Sequence, residues 1–196
     1  NQCDVEEILI NTHYHADQVE KFVISYASTG IVNTVYEPYL LGTAGTIRKN
    51  SKFFRRSEPS LVIHADNFCL SDLSIFRKAH QQRPDHTKIT MLTFRTESPE
   101  QCGIVDLDAA NVVTGFYEKI KNPPGNIANG AVYIFEPEVI DTICNYPGPI
   151  DDLSTNLLPL YLGRIFSWEA NGPHIDIGTP ANYDAARTIC SQLAFE

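Results

Sequence analysis

The fold is decided by Leu61-Val62-Ile63-His64-Ala65-Asp66-Asn67-Phe68, an aliphatic run that ends in an Asp and an Asn. This pattern predicts a buried parallel strand that carries polar groups at its carboxyl end. In open α/β sheets, ligands bind at that edge. A carboxylate there can hold a hard cation, so Asp66 is a candidate metal ligand. The alternative is that Asp66 and Asn67 only turn the chain and help to cap the next helix.

The length and composition predict a globular domain. The chain has 196 residues, of which 43% are hydrophobic, and this is enough for one domain, residues 1–196, with a substantial core. No apolar run approaches the roughly 18 residues of a membrane span, and the first residues do not resemble a signal peptide. The five cysteines are scattered and form no C-x-x-C pair, which favours a reducing cytoplasm. A net charge of −9 without any basic run argues against nucleic acid as the partner.

Alternating patterns along the first half predict three or four β-α steps and hence a mostly parallel, Rossmann-like α/β sheet. Strands are predicted at residues 5–10, 32–36, 61–67 and 88–96, and helices at 16–26 and 71–80, the second with Ser71 as N-cap. Between them, Leu41-Gly42-Thr43-Ala44-Gly45 reads as a loop whose glycines let its backbone approach a ligand. The segment after it, to residue 54, can form a helix.

The pattern changes in the second half. Residues 103–106 and 112–117 predict an antiparallel hairpin, and a hairpin added to a parallel sheet implies a small second lobe that faces a ligand. Further strands are predicted at 130–135 and 165–168. A helix to Leu162, capped by Asp151, Asp152 or Ser154, should be broken at Pro159. A last helix opens at Thr179 and Pro180, with a stripe of apolar residues predicted to be buried: Tyr183, Ala186, Ile189 and Leu193.

A second carboxylate, Asp176, has the same setting as Asp66. It lies in Ile175-Asp176-Ile177-Gly178, between apolar residues and just before a turn. Mg²⁺ is held by one or two carboxylates and leaves its other positions to phosphate oxygens and water. We therefore predict that Asp66 and Asp176 meet at one sheet edge and share a magnesium ion.

Several motifs occur in an order that resembles the sugar-phosphate nucleotidyltransferases over nearly the whole chain. The order is Leu41-Gly42-Thr43-Ala44-Gly45, the strand ending at Asp66, Cys102-Gly103-Ile104-Val105, Glu118-Lys119, Asn129-Gly130-Ala131-Val132-Tyr133 and Asp176-Ile177-Gly178-Thr179-Pro180. Within the family, the chain looks most like the hexose- or heptose-1-phosphate guanylyltransferases. The resemblance implies transfer of a nucleotidyl group from an NTP, with GTP favoured, to a mannose- or heptose-type 1-phosphate. The resemblance is also compatible with a homo-oligomer.

The same resemblance implies a role for each motif. The loop formed by Leu41, Gly42, Thr43, Ala44 and Gly45 would bind the nucleobase. Asp66 and Asp176 would hold Mg²⁺, and Lys119 would bind a phosphate, so that these three would be the catalytic residues. The sugar would be bound by Gly103, Glu118 and Asn129. From the residues alone, Glu118 and Lys119 can also be a solvated charge pair, and Asn129 can merely form a turn with Gly130.

The chain departs from the family in two places. Members open with a strand and a loop of the form G-x-G-T-R-x-x-P-x-T, followed by a Lys-Pro that helps to cradle the triphosphate, and this sequence begins at what would be the second strand. We therefore expect the domain to be incomplete at its N-terminus by about 30 residues, one β-α unit. The second departure is Ile120, which follows Lys119 where a proline is usual.

Two other functions fit parts of the sequence. Thr12-His13-Tyr14-His15-Ala16-Asp17-Gln18 resembles the H-x-H-x-D-H zinc motif of metallo-β-lactamase-like hydrolases, with His13, His15 and Asp17 as ligands and Gln18 in place of the last His. The other is a non-catalytic nucleotide-sugar-binding subunit of the nucleotidyltransferase fold, a reading that rests on the absent glycine-rich loop.

Overall fold

The computed structural model describes residues 5–26, 30–54 and 57–193. Its main helices and strands follow one another in the order β1 (Ile8–Thr12), α1 (Ala16–Tyr26), β2 (Val32–Tyr36), α2 (Gly42–Lys49), β3 (Ser60–Ile63), β4 (Asn67–Cys69), α3 (Leu73–Gln81), β5 (Ile89–Arg95), β6 (Gly103–Leu107), β7 (Val113–Glu118), β8 (Ile127–Phe135), α4 (Pro137–Asn145), β9 (Ile165–Glu169), β10 (His174–Asp176) and α5 (Pro180–Leu193). Short 3-10 helices at Ser51–Phe53, Pro99–Gln101 and Leu158–Tyr161 and a π-helical turn at Leu153–Leu157 connect them.

The central sheet is mixed and is built around β8. Its strand order is β7-β6-β8-β5-β9, and β3 pairs with β8 as well. Strands β3, β5 and β6 all run antiparallel to β8, while β5 and β9 are parallel to each other. Strands β3, β5, β6 and β9 therefore run one way, and β7 and β8 run the other. This confirms the predicted α/β class and its small antiparallel part, the β6–β7 hairpin.

Two smaller ladders complete the strand pairing. Strands β1 and β2 are parallel, with Ile8 opposite Val32, whereas β4 and β10 are antiparallel, with Asn67 opposite Asp176. Within the described residues, no ladder joins β1 to β3. The expected first strand would lie between these two, and its place in the fold stays a prediction.

Alternating side chains of β8 divide the core into two layers. Tyr133 and Phe135 face a large cluster that α2, α4 and the Leu153–Tyr161 segment complete. Val132 and Ile134 face the other side and pack with Phe76 of α3. This period of two is what an extended strand imposes, and burial on both faces explains why β8 is almost entirely apolar. The two layers hold the carboxyl ends of the central strands in place.

The observed helices differ from the predicted ones in several details. Helix α2 begins at Gly42, so most of the predicted nucleobase loop is the first turn of a helix. Helix α3 has Asp72, and not Ser71, as its N-cap, because the Asp72 carboxylate accepts a hydrogen bond from Ser74 N. Helix α4 was not predicted, although Pro137 at its first position is a known start signal.

The C-terminal third contains two more differences. The predicted helix to Leu162 is instead a π-helical turn followed by a 3-10 helix, with the change next to Pro159 as its missing N–H requires. Asp152 is the N-cap of that turn. The predicted buried stripe on α5 is wrong for most of its members, since only Ala186 is fully buried and Tyr183 and Leu193 are half exposed. In the part of the chain that the structure describes, none of the helices combines the length and hydropathy needed to cross a bilayer.

Candidate active site

Asp66 and Asp176 come together, as predicted. The Asp66 carbonyl accepts a hydrogen bond from Ile177 N at 2.8 Å, next to the β4–β10 ladder. A Cβ atom placed on Gly178 would lie 2.9 Å from Asp176 Oδ1 and 3.9 Å from Asp66 Oδ2. Two oxygens this close to one point are well within the roughly 8 Å that would prevent carboxylates from sharing one ion. The two side chains, 110 positions apart in the sequence, thus form one acidic edge.

The two carboxylates of this edge suit a hard cation that leaves some of its coordination positions free for other ligands. Both carboxylates are exposed, and Asp176 Oδ1 accepts a hydrogen bond from Gly178 N at 2.8 Å. Across residues 5–26, 30–54 and 57–193, no three His, Cys, Asp or Glu side chains form a metal-binding group. Two carboxylates suit Mg²⁺, which completes its shell with substrate and water, better than they suit a closed structural zinc site.

Two histidines flank the acidic edge and are held neutral. Burial lowers the pKa of His64, against the raising effect of the nearby Asp66, and burial likewise lowers the pKa of His174. Among the described residues, the buried His64 Nε2 and His174 Nδ1 have no hydrogen-bond partner. Neutral imidazoles add no positive charge here, so the edge keeps its full attraction for a cation. Sequence reasoning gave these histidines no role in this site.

Gly103 and Glu118 face each other across the β6–β7 hairpin. The register pairs them directly, and a Cβ on Gly103 would lie 2.6 Å from Glu118 Oε2 and 2.8 Å from Phe116 Cζ. Such distances are shorter than any tolerated contact, so only glycine leaves the Glu118 carboxylate where it is. Burial raises the pKa of Glu118, and the neighbouring Lys119 acts in the opposite direction. Gly103 and Glu118 thus form one surface, the Gly103–Glu118 wall, whose hydrogen-bond acceptor is the partly buried Glu118 carboxylate.

Lys119 continues from β7 in a left-handed conformation, with φ of 50°. Its backbone N donates to Cys102 O at 3.1 Å, which keeps the chain turned toward β6. Its ammonium group is 3.9 Å from Glu118 Oε1, a loose ion pair, and the side chain is 66% exposed. The lysine can therefore reach an anionic ligand beside Glu118. The sequence predicted the adjacency of the two charges but not the positive φ.

Asn129 lies at a bulge in β8. The register with β5 jumps from Met91 opposite Tyr133 to Thr93 opposite Asn129, and Ala131 within the bulge has φ of 51°. Asn129 Oδ1 accepts from Ala131 N at 3.0 Å, and Asn129 Nδ2 donates to Tyr133 Oη at 2.7 Å. The side chain thus shapes the backbone here, and its contact with a sugar stays a prediction.

The same bulge contacts the acidic edge. Asn67 Nδ2 donates to Gly130 O at 2.9 Å, and His64 N donates to Ala131 O at 3.1 Å. A Cβ on Gly130 would lie 3.1 Å from His174 Nε2. The strand that carries Asn129 is therefore in direct contact with the segments that carry Asp66 and Asp176.

The predicted nucleobase loop packs closely on residues 150–153. Gly42 has φ of 72°, and a Cβ there would lie only 2.1 Å from Asp151 O. Ala44 N donates to the same carbonyl at 3.0 Å, and Leu153 N donates to Thr43 Oγ1 at 2.8 Å. A cleft of about 410 Å³ opens beside the loop, with Leu41, Gly45, Arg48 and Lys49 among its lining residues. The loop is thus a rigid turn next to a concave surface.

Glu37 is a residue that sequence reasoning missed. It is only 1% exposed, its Oε1 accepts from the Thr46 hydroxyl at 2.7 Å, and its Oε2 accepts from Leu41 N at 3.5 Å. A buried carboxylate needs such partners. The sequence feature that could have identified Glu37 is its position, as an acidic residue between the end of β2 and the glycine-containing loop.

The histidines of the proposed zinc motif are used differently. His13 Nδ1 lies 2.7 Å from Glu37 O, and His15 Nδ1 lies 3.4 Å from Gln18 Nε2. Neither the site geometry nor the relatives described next support a metallohydrolase.

The chain is similar to known proteins in sequence and in fold. It is 27% identical over 203 residues to "Mannose-1-phosphate guanyltransferase 2" of Candida glabrata, an alignment that covers 97% of this chain and 54% of that protein. It is 26% identical to "Mannose-1-phosphate guanylyltransferase catalytic subunit beta" of Dictyostelium discoideum, covering 91% of this chain and 50% of that protein. The chain spans about half the length of these relatives.

Solved structures show the same fold at lower identity. HddC from Yersinia pseudotuberculosis superposes with a TM-score of 0.76 at 23% identity, covering 95% of this chain and 80% of that one. A "Putative Glucose-1-Phosphate Thymidylyltransferase" from Bacillus anthracis superposes with a TM-score of 0.83 at 21% identity, covering 96% and 77%. The model of the nucleotidyl transferase family matches residues 1–189. With the ordered motifs and the meeting of Asp66 and Asp176, this match shows that the chain belongs to the nucleotidyl transferase family.

Proposed function

We propose that this chain carries the site of a sugar-1-phosphate guanylyltransferase, which joins GTP and a mannose- or heptose-type 1-phosphate into a nucleotide-sugar and releases pyrophosphate. The observation that carries the proposal is the meeting of Asp66 and Asp176 at one edge, which contacts the bulge of β8; next to this bulge, Ala128 pairs with Ile104 of the hairpin that carries Glu118. The choice of guanine and mannose is supported by the names of the sequence relatives.

In this proposal Asp66 and Asp176 hold Mg²⁺. The ion would neutralise phosphate oxygens and help to align them. Without a cation, the two carboxylates would repel every phosphorylated substrate, and a protein of net charge −9 would add to that repulsion. The neutral state of His64 and His174 leaves this task to the ion and to basic side chains such as Lys119.

The sugar 1-phosphate lies along the Gly103–Glu118 wall. Glu118 accepts hydrogen bonds from sugar hydroxyl groups, and its partial burial strengthens them because water competes less. Lys119 pairs with the sugar phosphate, and Gly103 leaves room for a backbone contact with the sugar. Asn129 adds a polar contact from β8.

The reaction itself needs positioning and charge neutralisation. A phosphate oxygen of the sugar 1-phosphate attacks the α-phosphorus of GTP, the bond between the α- and β-phosphates breaks, and pyrophosphate leaves. No covalent intermediate with the protein is required. Holding the nucleobase on the turn 41–45 and the sugar on the Glu118 wall fixes both reactants at once, which is where most of the acceleration would arise.

The experiment that tests the proposal is a screen of the four common NTPs against a panel of sugar 1-phosphates, with release of pyrophosphate as the readout. GTP with mannose 1-phosphate or a heptose 1-phosphate is expected to give the highest rate. Lys119→Gln should raise the KM for the sugar 1-phosphate at least about tenfold, which corresponds to the roughly 1.5 kcal/mol of one charge-assisted hydrogen bond. Lys121→Gln, a change to an exposed lysine two positions away, is the matched control.

Two results would contradict the proposal. Highest turnover with another NTP would overturn the assignment of the base. Binding of a nucleotide-sugar without any pyrophosphate release would instead favour a non-catalytic binding subunit of the same fold.

A further inference from the structure

Tyr133 of β8 is a buried polar side chain to which the proposed reaction gives no role. The residue is 0% exposed, and its ring stacks on Phe135 with the two ring centroids 5.4 Å apart. Its hydroxyl accepts a hydrogen bond from Asn129 Nδ2 at 2.7 Å. Burial raises the pKa of this hydroxyl, so that it stays neutral at physiological pH. The hydroxyl is therefore an uncharged partner of the Asn129 amide.

The orientation of the Asn129 amide follows from the chemistry of its two partners. A backbone N–H can only donate, so the amide atom that lies 3.0 Å from Ala131 N must be the oxygen. The amide atom that faces the Tyr133 hydroxyl is then the nitrogen. The reversed amide would place an N–H group against the N–H of Ala131. The two hydrogen bonds thus define which end of the amide donates and which end accepts.

A count of hydrogen bonds shows what the amide retains for a ligand. An Asn amide has two N–H donors and two lone pairs on its oxygen. The Tyr133 hydroxyl uses one donor and Ala131 N uses one lone pair, so that within the described part of the chain one of each remains. Asn129 is only half-buried, and a ligand can therefore approach it. A sugar hydroxyl group can both donate and accept, which matches the remaining donor and lone pair.

The Tyr133 hydroxyl is the partner that holds the nitrogen end of this amide. The last torsion of an Asn side chain is broad, so an amide that is bonded only through its oxygen can turn. The Tyr133 ring is itself held in place, because it stacks on Phe135 and lies edge-on to His64 with 6.5 Å between the ring centroids. A fixed hydroxyl at one end and a backbone N–H at the other therefore keep the amide in one orientation.

We propose that Tyr133 is a positioning residue for the sugar 1-phosphate, because it orients the Asn129 amide so that its remaining N–H and lone pair meet hydroxyl groups of the sugar. The inference rests on the proposed function, which assigns Asn129 to the sugar. In this arrangement Tyr133 acts only through Asn129. A group that is oriented before its ligand arrives loses less conformational freedom on binding. Removal of the Tyr133 hydroxyl therefore weakens the binding of the sugar and leaves the binding of GTP unchanged.

The test is steady-state kinetics of pyrophosphate release with GTP and mannose 1-phosphate. Tyr133→Phe, which removes only the hydroxyl, should raise the KM for mannose 1-phosphate about fivefold, the factor that corresponds to the roughly 1 kcal/mol of one hydrogen bond. The KM for GTP should not change. Tyr161→Phe is the matched control, because Tyr161 is 3% exposed and its hydroxyl is hydrogen-bonded to the Thr142 hydroxyl at 2.8 Å. This control should keep both KM values of the wild type.

A double-mutant cycle tests whether Tyr133 acts through Asn129. Asn129→Ala alone should raise the KM for mannose 1-phosphate at least as much as Tyr133→Phe does. The variant that carries both substitutions should show no further increase over Asn129→Ala, because the amide that Tyr133 orients is then absent. Independent effects that multiply in the double variant would show that Tyr133 does not act through Asn129, and would overturn the inference.

The other outcomes separate the inference from the function on which it rests. An unchanged KM for mannose 1-phosphate in Tyr133→Phe, an equal rise in both KM values, or the same rise in Tyr161→Phe would overturn the positioning role while the function stands. If the wild type releases no pyrophosphate from GTP with mannose 1-phosphate or a heptose 1-phosphate, the proposed function itself is refuted. Each phenylalanine variant loses one buried hydroxyl, so similar melting temperatures show that a rise in KM for Tyr133→Phe alone does not come from unfolding.

Discussion

Replacing Gly42 with alanine tests whether the turn 41–45 depends on a close approach of two backbones. The residue has φ of 72°, and its new Cβ would lie 2.1 Å from Asp151 O. Gly163 supplies the matched control, because it has φ of 78° but no atom within 4 Å of an added Cβ. Both substitutions share the left-handed strain of about 1–2 kcal/mol and the same effect on the unfolded chain. Their difference therefore isolates the clash.

The expected difference can be worked out from the contacts. Relieving a 2.1 Å contact with a backbone carbonyl requires the turn to move, at the cost of about 1–3 kcal/mol for overpacking. The movement also strains the hydrogen bond from Ala44 N to Asp151 O, which contributes about 1 kcal/mol. Gly42→Ala should thus lose about 2–4 kcal/mol more than Gly163→Ala. For a chain of this size the difference in Tm is at least about 4 °C.

The assay is urea unfolding followed by the fluorescence of Trp168, the only tryptophan of the sequence. Gly42→Ala should also weaken GMP binding in calorimetric titration, whereas Gly163→Ala should leave it unchanged. A difference in unfolding free energy below about 1 kcal/mol between the two variants would refute the reasoning, because the error of such comparisons is a few tenths of a kcal/mol. It would mean that the turn relaxes freely and is not held by residues 150–153.

The remaining predictions concern the acidic edge and a buried histidine. Asp66→Asn and Asp176→Asn should each lower the rate of pyrophosphate release at least about 100-fold, because each removes a proposed ligand of the ion. Each should lower the free energy of unfolding by less than about 1 kcal/mol, because both side chains are exposed. Asp85→Asn is the control, and a wild-type rate in either site variant would refute the shared ion. Burial lowers the pKa of His80 from 6.5 to about 4, so between these values the unfolded chain binds a proton that the folded chain does not. The contribution of neutral His80 to the free energy of unfolding is therefore complete above pH 6.5 and falls by up to about 3 kcal/mol toward pH 4. The free energy of unfolding, measured by chemical denaturation across that range, should change less steeply with pH in His80→Gln than in the wild type. Equal slopes in the two proteins would contradict the assignment.

The sequence predicted those parts of the fold that depend on periodicity. Helix α1, strand β2 and the β6–β7 hairpin lie where their patterns placed them. The predicted burial of Phe22 on α1 is wrong, because its side chain is 59% exposed. The buried stripe of α5 failed for a physical reason: periodicity shows which face of a helix is apolar, not what covers it. Helix α4 was missed because it has only nine residues and follows β8 after a single residue, Glu136, so that Glu136 and Pro137 read as the end of the strand.

The sequence predicted that two distant carboxylates lie close together, but not the geometry around them. Asp66 and Asp176 do lie close together, but not at the carboxyl ends of two buried parallel strands. The predicted strand 61–67 is divided into β3, which is antiparallel to β8, and β4; Asp66 lies in the turn between them, and the antiparallel pairing of β4 with β10 brings it next to Asp176. Glu37, Asp152 and the neutral His64 were not assigned to the site, because their importance arises from burial and from contacts with residues far along the chain. Single residues of these types have no local sequence signal that distinguishes them from ordinary polar positions.

The bulge in β8 explains why one departure from a regular strand has consequences for the whole site. A regular ladder would place Asn129 and Tyr133 with their side chains on one face but separated along the strand. The jump in register at Met91 and Thr93 shortens that separation enough for Asn129 Nδ2 to donate to Tyr133 Oη at 2.7 Å. Ala131 accepts a left-handed φ of 51° to make this possible, a strain of about 1–2 kcal/mol.

That strain is maintained by the segments that carry the acidic edge. Asn67 donates to Gly130 O, and His64 N donates to Ala131 O, so the bulge is fixed by the residues on either side of Asp66. Strained backbone persists only where the surroundings over-determine it, and such places are concentrated at functional sites. The bulge therefore contacts the segments on either side of Asp66, while Ala128 beside it pairs with Ile104 of the β6–β7 hairpin. The reaction that we propose would require two bound phosphates to be aligned, and a bulge fixed between the hairpin and the two carboxylates would contribute to that alignment.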